Sequence, residues 1–211
     1  MRDVYLLSGL GADDRVYGFI DLSGYKLNHI RWIEPLANED LSSYSRRLLD
    51  QIPTDNPILV GVSFGGIVAV EIGKLIPTEK VILISSAMTK SDLPKYYDAT
   101  GPSILRDWIP PTWLKNVNFL TFFFFGTETN EERRLLKTII KETDASFLKW
   151  AMVAIATWRN ETRLNNATQI HGTADKIIPF KTADFPIKDG GHFMIVNKAD
   201  AITKLIRHLL S

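Results

Sequence analysis

The sequence predicts an α/β fold, one domain over residues 1–211, built on a roughly six-stranded, mostly parallel sheet flanked by helices. Three observations predict it. Short apolar runs recur along the chain, each of a length suited to a buried strand. Helical patterns separate most of them, and strand–helix alternation at this spacing implies βαβ units. One run, Ile58 to Val62, passes through Gly61-x-Ser63-x-Gly65 directly into a helix-like pattern, the form of a sharp strand-to-helix turn.

The elements follow in order. Val4 to Leu7 is the first strand and ends at Ser8-Gly9; Lys26 to Ile33 alternates loosely and ends at Glu34-Pro35. Leu41, Tyr44, Leu48 and Ile52 share one helical face. After the strand Ile58–Val62, Phe64, Ile67, Val68, Glu71, Ile72 and Leu75 share another, with Glu71 the one polar member and Pro77 the stop. Val81 to Ile84 is the fourth strand. Thr168 to Ile170, before His171-Gly172, and Phe185 to Asp189, before Gly190-Gly191, are the fifth and sixth. Ala199, Ile202, Leu205, Ile206 and Leu209 stripe a C-terminal helix.

Residues 88–165 break the rhythm and read as a mainly helical insertion between the fourth and fifth strands, with at most a strand around Phe122–Phe125. Thr129-x-x-Glu132 has the form of a capping box opening a helix that carries Leu135, Leu136, Ile139 and Ile140. Asp144 is placed to cap a second helix with Phe147, Trp150, Ala151, Ala154, Ile155 and Trp158 on one side.

Composition narrows the function. The chain of 211 residues is 45% hydrophobic and 23% charged, as in ordinary globular proteins. Its formal net charge of +1 makes no electrostatic case for nucleic acid or an anionic membrane surface. Cysteine is absent, so there is no disulfide, no thiolate metal ligand and no cysteine nucleophile. The longest weakly polar stretch, Pro57 to Gly73, contains Ser63, internal glycines and Glu71, and reads as strand plus helix, not a membrane span. The N-terminus has no signal-peptide shape, which makes a cytoplasmic location the expectation.

A serine is a poor nucleophile at neutral pH and needs a base, which in turn needs an orienting acid. His171-Gly-Thr-Ala-Asp175 follows the fifth strand and Gly190-Gly-His192 the sixth. His171, Asp175 and His192 also invite a zinc reading, but no further compact ligand set accompanies them, and no metal is expected. His171, His29 and His208 read as structural.

With these segments in view, the chain resembles the α/β-hydrolase superfamily over nearly its whole length. The family's nucleophile elbow matches Gly61 to Gly65. Its His-Gly-x-x-Asp segment matches His171 to Asp175, and its glycine-rich turn before the catalytic histidine matches Gly190 to His192. The family's chain order of serine, acid and histidine implies Ser63, Asp175 and His192 as the catalytic residues. Asp92, after the fourth strand, is the family's alternative place for the acid. The oxyanion loop, usually His-Gly, is Ser8-Gly9-Leu10-Gly11 here, and by position the backbone N–H groups of Leu10 and Phe64 are the expected donors. The first two strands of larger family members are not seen, which suggests a minimal sheet.

The resemblance implies a serine hydrolase acting on a small ester, carboxylesterase-like, with a small-molecule acyl substrate and no cofactor. An acyltransferase, a carbon–carbon bond hydrolase, or a ligand receptor on the same scaffold are the alternatives. Trp108, Trp113, Phe122, Phe123, Phe124, Phe125 and Trp158 are candidate substrate-binding residues if the insertion roofs the serine, and are buried packing residues of that insertion if it does not. A roof of this modest size predicts a preference for short-to-medium acyl chains.

Overall fold

Alternation along the strands sorts the core into two layers. In the computed structural model, which describes residues 2–10, 12–95 and 110–211, six strands form one sheet. They are β1 (Asp3–Leu7), β2 (Lys26–His29), β3 (Ile58–Val62), β4 (Lys80–Ile84), β5 (Ala167–Gly172) and β6 (Phe185–Ile187). Their order is β2-β1-β3-β4-β5-β6 and every pairing is parallel. Successive side chains of a strand point to opposite faces. Tyr5, Leu7, Leu59, Val81 and Leu83 accordingly pack in one layer, and Val4, Leu6, Ile58, Val60, Ile82 and Ile84 in the other.

Helices cover both faces. Against the first layer lie α1 (Leu41–Leu48), α2 (Phe64–Leu75) and α5 (Ala145–Thr157). Against the second lie α3 (Phe119–Phe125), α4 (Asn130–Glu142), α6 (Met194–Asn197), α7 (Ala199–Leu210) and a 3-10 turn at Asp14–Phe19. The consecutive helices α4 and α5 thus belong to opposite layers. Their link at Thr143-Asp144 passes from one layer to the other, and Arg15 ties that bend to the loop after β1 by bridging Glu142 and Asp13.

The six strands sit where the apolar runs place them, with two shortened: the Phe185–Asp189 run is a strand only to Ile187. The Lys26–Ile33 run is a strand only to His29. Ile30 N–H still donates to Leu6, but the Gln51 side chain takes both the N–H and the carbonyl of Arg31, so the chain peels away from the sheet. Phe122–Phe125 is a correction: it belongs to a helix, not a strand. Asn118 caps its start, reciprocally with Thr121, and Gly126 ends it in the left-handed conformation with φ of 70°. Those local stop signals outweigh the β-propensity of four phenylalanines. Thr129 caps α4 by accepting from Glu132 N–H, while the Glu132 carboxylate reaches Glu128 N–H instead of closing the box. Asp144 caps α5 through Phe147 N–H at 2.8 Å.

Glu71 on α2 is 2% exposed, and the fold explains it. Its Oε1 accepts from the Trp158 indole N–H and pairs with Lys74, each at 2.8 Å. A buried carboxylate survives when hydrogen-bonded and paired. Among the described residues no helix is long and apolar enough to cross a membrane.

Candidate active site

The site forms where strand order reverses. From β1 the chain moves to β2 on one side and then to β3 on the other, so the loops leaving β1 and β3 part at the carboxyl ends of neighbouring strands. In open α/β sheets that gap is where ligands bind. The loop Ser8-Gly9-Leu10 lies on one side of it and Ser63 on the other.

Close backbone approach dictates the turn at Ser63. A methyl group at Gly61 would lie 2.5 Å from Gly65 O, and one at Gly65 would lie 2.1 Å from Leu7 O. At Gly66 it would meet Ser86 Oγ at 2.3 Å. Ser63 itself has φ 52° and ψ −120°, a conformation that side chains rarely adopt. The surroundings hold it: Ser63 N–H donates to Ile84 O at 2.9 Å, and Ser86 Oγ donates to Ser63 O at 2.6 Å. The strained turn lifts the hydroxyl away from α2.

His192 follows β6. A methyl at Gly172 would lie 2.1 Å from Gly190 O, and Ala174 N–H donates to Gly190 O, so the β5 and β6 loops lock together. This places the imidazole between serine and aspartate. His192 Nε2 lies 2.9 Å from Ser63 Oγ, and its Nδ1 lies 2.8 Å from Asp175 Oδ2. A carboxylate only accepts, so Nδ1 carries the proton and Nε2 is the free base facing the serine. The other oxygen, Oδ1, accepts from Ile177 and Ile178 N–H at 2.9 Å each. Burial pushes the Asp175 pKa up, but electrostatic attraction to His192, hydrogen bonds from the His171 and His192 side chains and the Ile178 backbone donor outweigh it and hold the carboxyl well below the usual range.

His171 donates from Nε2 to Ile178 O at 2.8 Å, with Asp175 Oδ2 at 3.4 Å. Burial lowers its pKa, yet the neighbouring Asp175 and the Ile178 carbonyl win, and the net shift is upward. Asp92 is engaged elsewhere: Oδ2 accepts from Met88 and Thr89 N–H and caps a 3-10 turn. Among the described residues no group of His, Asp or Glu is arranged to hold a metal ion.

The N–H groups of Leu10 and Phe64 make no hydrogen bond among the described residues. Phe64 follows Ser63, and Gly9, the residue before Leu10, lies against it: a methyl on Gly9 would touch Ser63 Cβ at 3.2 Å. Two free donors beside a nucleophile are what a developing oxyanion requires.

The other predicted residues scatter. Phe125 meets the His192 ring edge-on at 5.6 Å, and its carbonyl accepts from Phe193 N–H. Phe122 packs against the second core layer. Phe123 and Phe124 are about half exposed, with Lys176 Nζ 3.6 Å over the Phe123 ring. Trp113 is 73% exposed. Trp158 is buried in the first layer, where its indole serves Glu71. Trp108 lies outside the described residues.

The sequence reading missed a cavity of about 1140 Å³ between the chain after β2 and the end of α4 with α5. Trp32, Phe147 and Trp150 form its aromatic wall. The signal present in the sequence was the α5 face itself: Phe147 and Trp150 belong to the stripe that looked like plain core.

A serine at a strained strand-to-helix turn, a histidine and a buried carboxylate thus share one hydrogen-bond chain. The sequence pattern of the Alpha/beta hydrolase family matches residues 3–204, and the chain belongs to that family. No curated protein matches it in sequence. Among solved structures it is similar to a bromoperoxidase from Bacillus anthracis, with 18% identity, a TM-score of 0.73, and 99% of this chain and 91% of that one covered. It is similar to an esterase from Exiguobacterium antarcticum, at 17% identity and a TM-score of 0.72, covering 100% and 92%. An enol-lactonase from Burkholderia xenovorans LB400 is alike at 14% identity and a TM-score of 0.74, covering 99% and 91%. At these identities the likeness is one of fold.

Proposed function

We propose that the protein is a serine hydrolase that cleaves a small ester through an acyl-enzyme on Ser63, with His192 and Asp175 completing the catalytic triad. The observation that carries this reading is the continuous hydrogen-bond chain from Ser63 Oγ through His192 to Asp175, built on a strained serine. Esterases and an enol-lactonase among the structural neighbours support ester chemistry.

In this mechanism His192 Nε2 takes the Ser63 hydroxyl proton as Oγ bonds to the ester carbonyl carbon. The carbonyl oxygen becomes an anion held by Leu10 and Phe64 N–H, an interaction for which each donor is worth roughly 3–4 kcal/mol. His192 then protonates the departing alcohol as the ester C–O bond breaks. Water attacks the acyl carbon, His192 takes its proton, and the acid leaves as that proton returns to Ser63. Asp175 stays ionised and holds the imidazole in the required tautomer. No cofactor enters these steps. Residues 1–211 act as one domain, with the 88–165 insertion as the roof of the site.

The test is covalent labelling with a fluorophosphonate and turnover on p-nitrophenyl esters. Ser63→Ala should lose both, with turnover down roughly 10⁶-fold and the melting curve retained. Labelling that persists on the variant moves the nucleophile elsewhere.

A further inference from the structure

The cavity beside the site carries more information than its size. Its aromatic wall is built on Phe64, the residue after the serine: the Phe64 ring lies 5.3 Å from Trp32, 6.1 Å from Phe147 and 6.2 Å from Trp150. Its opposite side reaches the loop after β1 at Ala12 and Asp13. A methyl on Gly9 would touch Ser63 Cβ at 3.2 Å and Ala12 Cβ at 3.7 Å, so cavity wall and nucleophile stand on either side of one glycine. The Trp32 indole N–H is buried and has no partner among the described residues. A buried donor left unpaired is costly and points to an acceptor supplied by a ligand.

The rim is acidic. Asp13 and Glu142 are bridged by Arg15 and Glu39 by Arg47, which leaves, among the described residues, Glu34, Asp40 and Asp144 on the rim against one lining cation, Lys149. Asp40 and Asp144 cap α1 and α5, and each helix N-terminus offsets part of that charge. The balance stays negative above aromatic faces, a surrounding that favours an ammonium group and repels a carboxylate.

We propose that this cavity holds the bulky apolar part of the ester attacked by Ser63, and that it accepts neutral or cationic aromatic groups and excludes anionic ones. The proposal rests on the hydrolytic reading above, and it names the substrate class of that site. Sites for small molecules are concave, mostly apolar and roughly 300–1,000 Å³ in volume, and this cavity, at about 1140 Å³, lies just above that range.

Four p-nitrophenyl esters test it: acetate, 3-phenylpropanoate, and the latter with a ring trimethylammonium or a ring carboxylate. At low salt kcat/KM should be about tenfold higher for the cationic ester than for the anionic one, with the gap closing as salt rises. Glu34→Gln should narrow the gap about twofold. Val153→Trp, which fills the cavity from α5, should lower the phenylpropanoate-to-acetate ratio about tenfold, with folding checked by melting. Should that variant fail to fold, Val153→Phe replaces it, and the wild-type charge comparison stands without either. Calorimetry with 3-phenylpropyltrimethylammonium and with 3-phenylpropanoate reads the cavity without turnover, and the cation alone should bind. Equal handling of both charges, or a preference for the anion, overturns the inference and leaves the triad reading intact. Binding of the cation, blocked by Val153→Trp, with no ester cleaved and no fluorophosphonate labelling, keeps the cavity as a ligand site and overturns the hydrolytic reading.

Discussion

Between β1 and β3, backbone meets backbone: a methyl added at Gly65 would sit 2.1 Å from Leu7 O, and the serine between the glycines is bent to φ 52°. Between β4 and β5, in α3 to α5, side chains meet side chains. Phe119, Leu120, Phe123 and Phe124 stay substantially exposed there, and a large cavity is left beside α5. The first region admits almost no change because its contacts involve atoms that every residue has. The second is set by helix caps and apolar stripes, which many side chains satisfy. On the proposed reading, chemistry sits on the rigid region and substrate choice on the adaptable one, a division that suits a scaffold hosting many activities.

The sharpest way to break this comparison is at the acid. Asp175→Asn preserves shape but favours the wrong imidazole tautomer, and kcat/KM should fall about 10⁴-fold near pH 7. Asp92→Asn should change it only a few-fold, because Asp92 serves backbone N–H groups after β4. The reverse result in steady-state kinetics would move the acid to Asp92.

Gly65→Ala comes next. Its methyl would face backbone oxygens of Leu7 and Ser8, which cannot step aside, so the variant should lose about 3 kcal/mol or more in urea unfolding and also lose activity. An equivalent alanine at Phe124, half exposed on α3, should cost under about 0.5 kcal/mol. Similar losses at the two positions would erase the contrast between the regions.

Trp158→Phe sharpens the boundary inside the helical region. Removing the indole N–H deprives buried Glu71 of one partner, so unfolding free energy should drop by about 1–3 kcal/mol. The acyl-chain profile should not move, since Trp158 lies in the core layer under α2. A changed profile with unchanged stability would make it a substrate contact.

The smallest effect is at His171. Its pKa is raised in the fold, so protonation stabilises the native state below its ordinary value near 6.5, and that contribution is lost as pH rises through the folded value. The stability difference between wild type and His171→Asn should therefore be larger at pH 5.5 than at pH 8. Urea midpoints at the two pH values decide it, and a difference growing with pH would reverse the sign.

Most of the frame was legible in the chain. Six apolar runs marked six strands, and the segments around Ser63, Asp175 and His192 marked the site. Glycines that permit close backbone contact, caps such as Asp144, and apolar periodicity are local signals and survive reading one residue at a time. The Phe122–Phe125 run was misread because β-propensity is weak next to an Asn118 cap and a Gly126 stop.

By itself the sequence determined the α/β alternation and the sharp turn at Ser63, since each is written in neighbouring residues, while the order serine, acid, histidine was implied by the family resemblance. Only the tertiary structure decided that Glu71 answers Trp158, that Gln51 ends β2 early, and that Trp32 joins Phe147 and Trp150 around one cavity. Those pairings join residues from 20 to over 100 positions apart. No local pattern encodes such a meeting; it follows from which helices the sheet's two faces bring together.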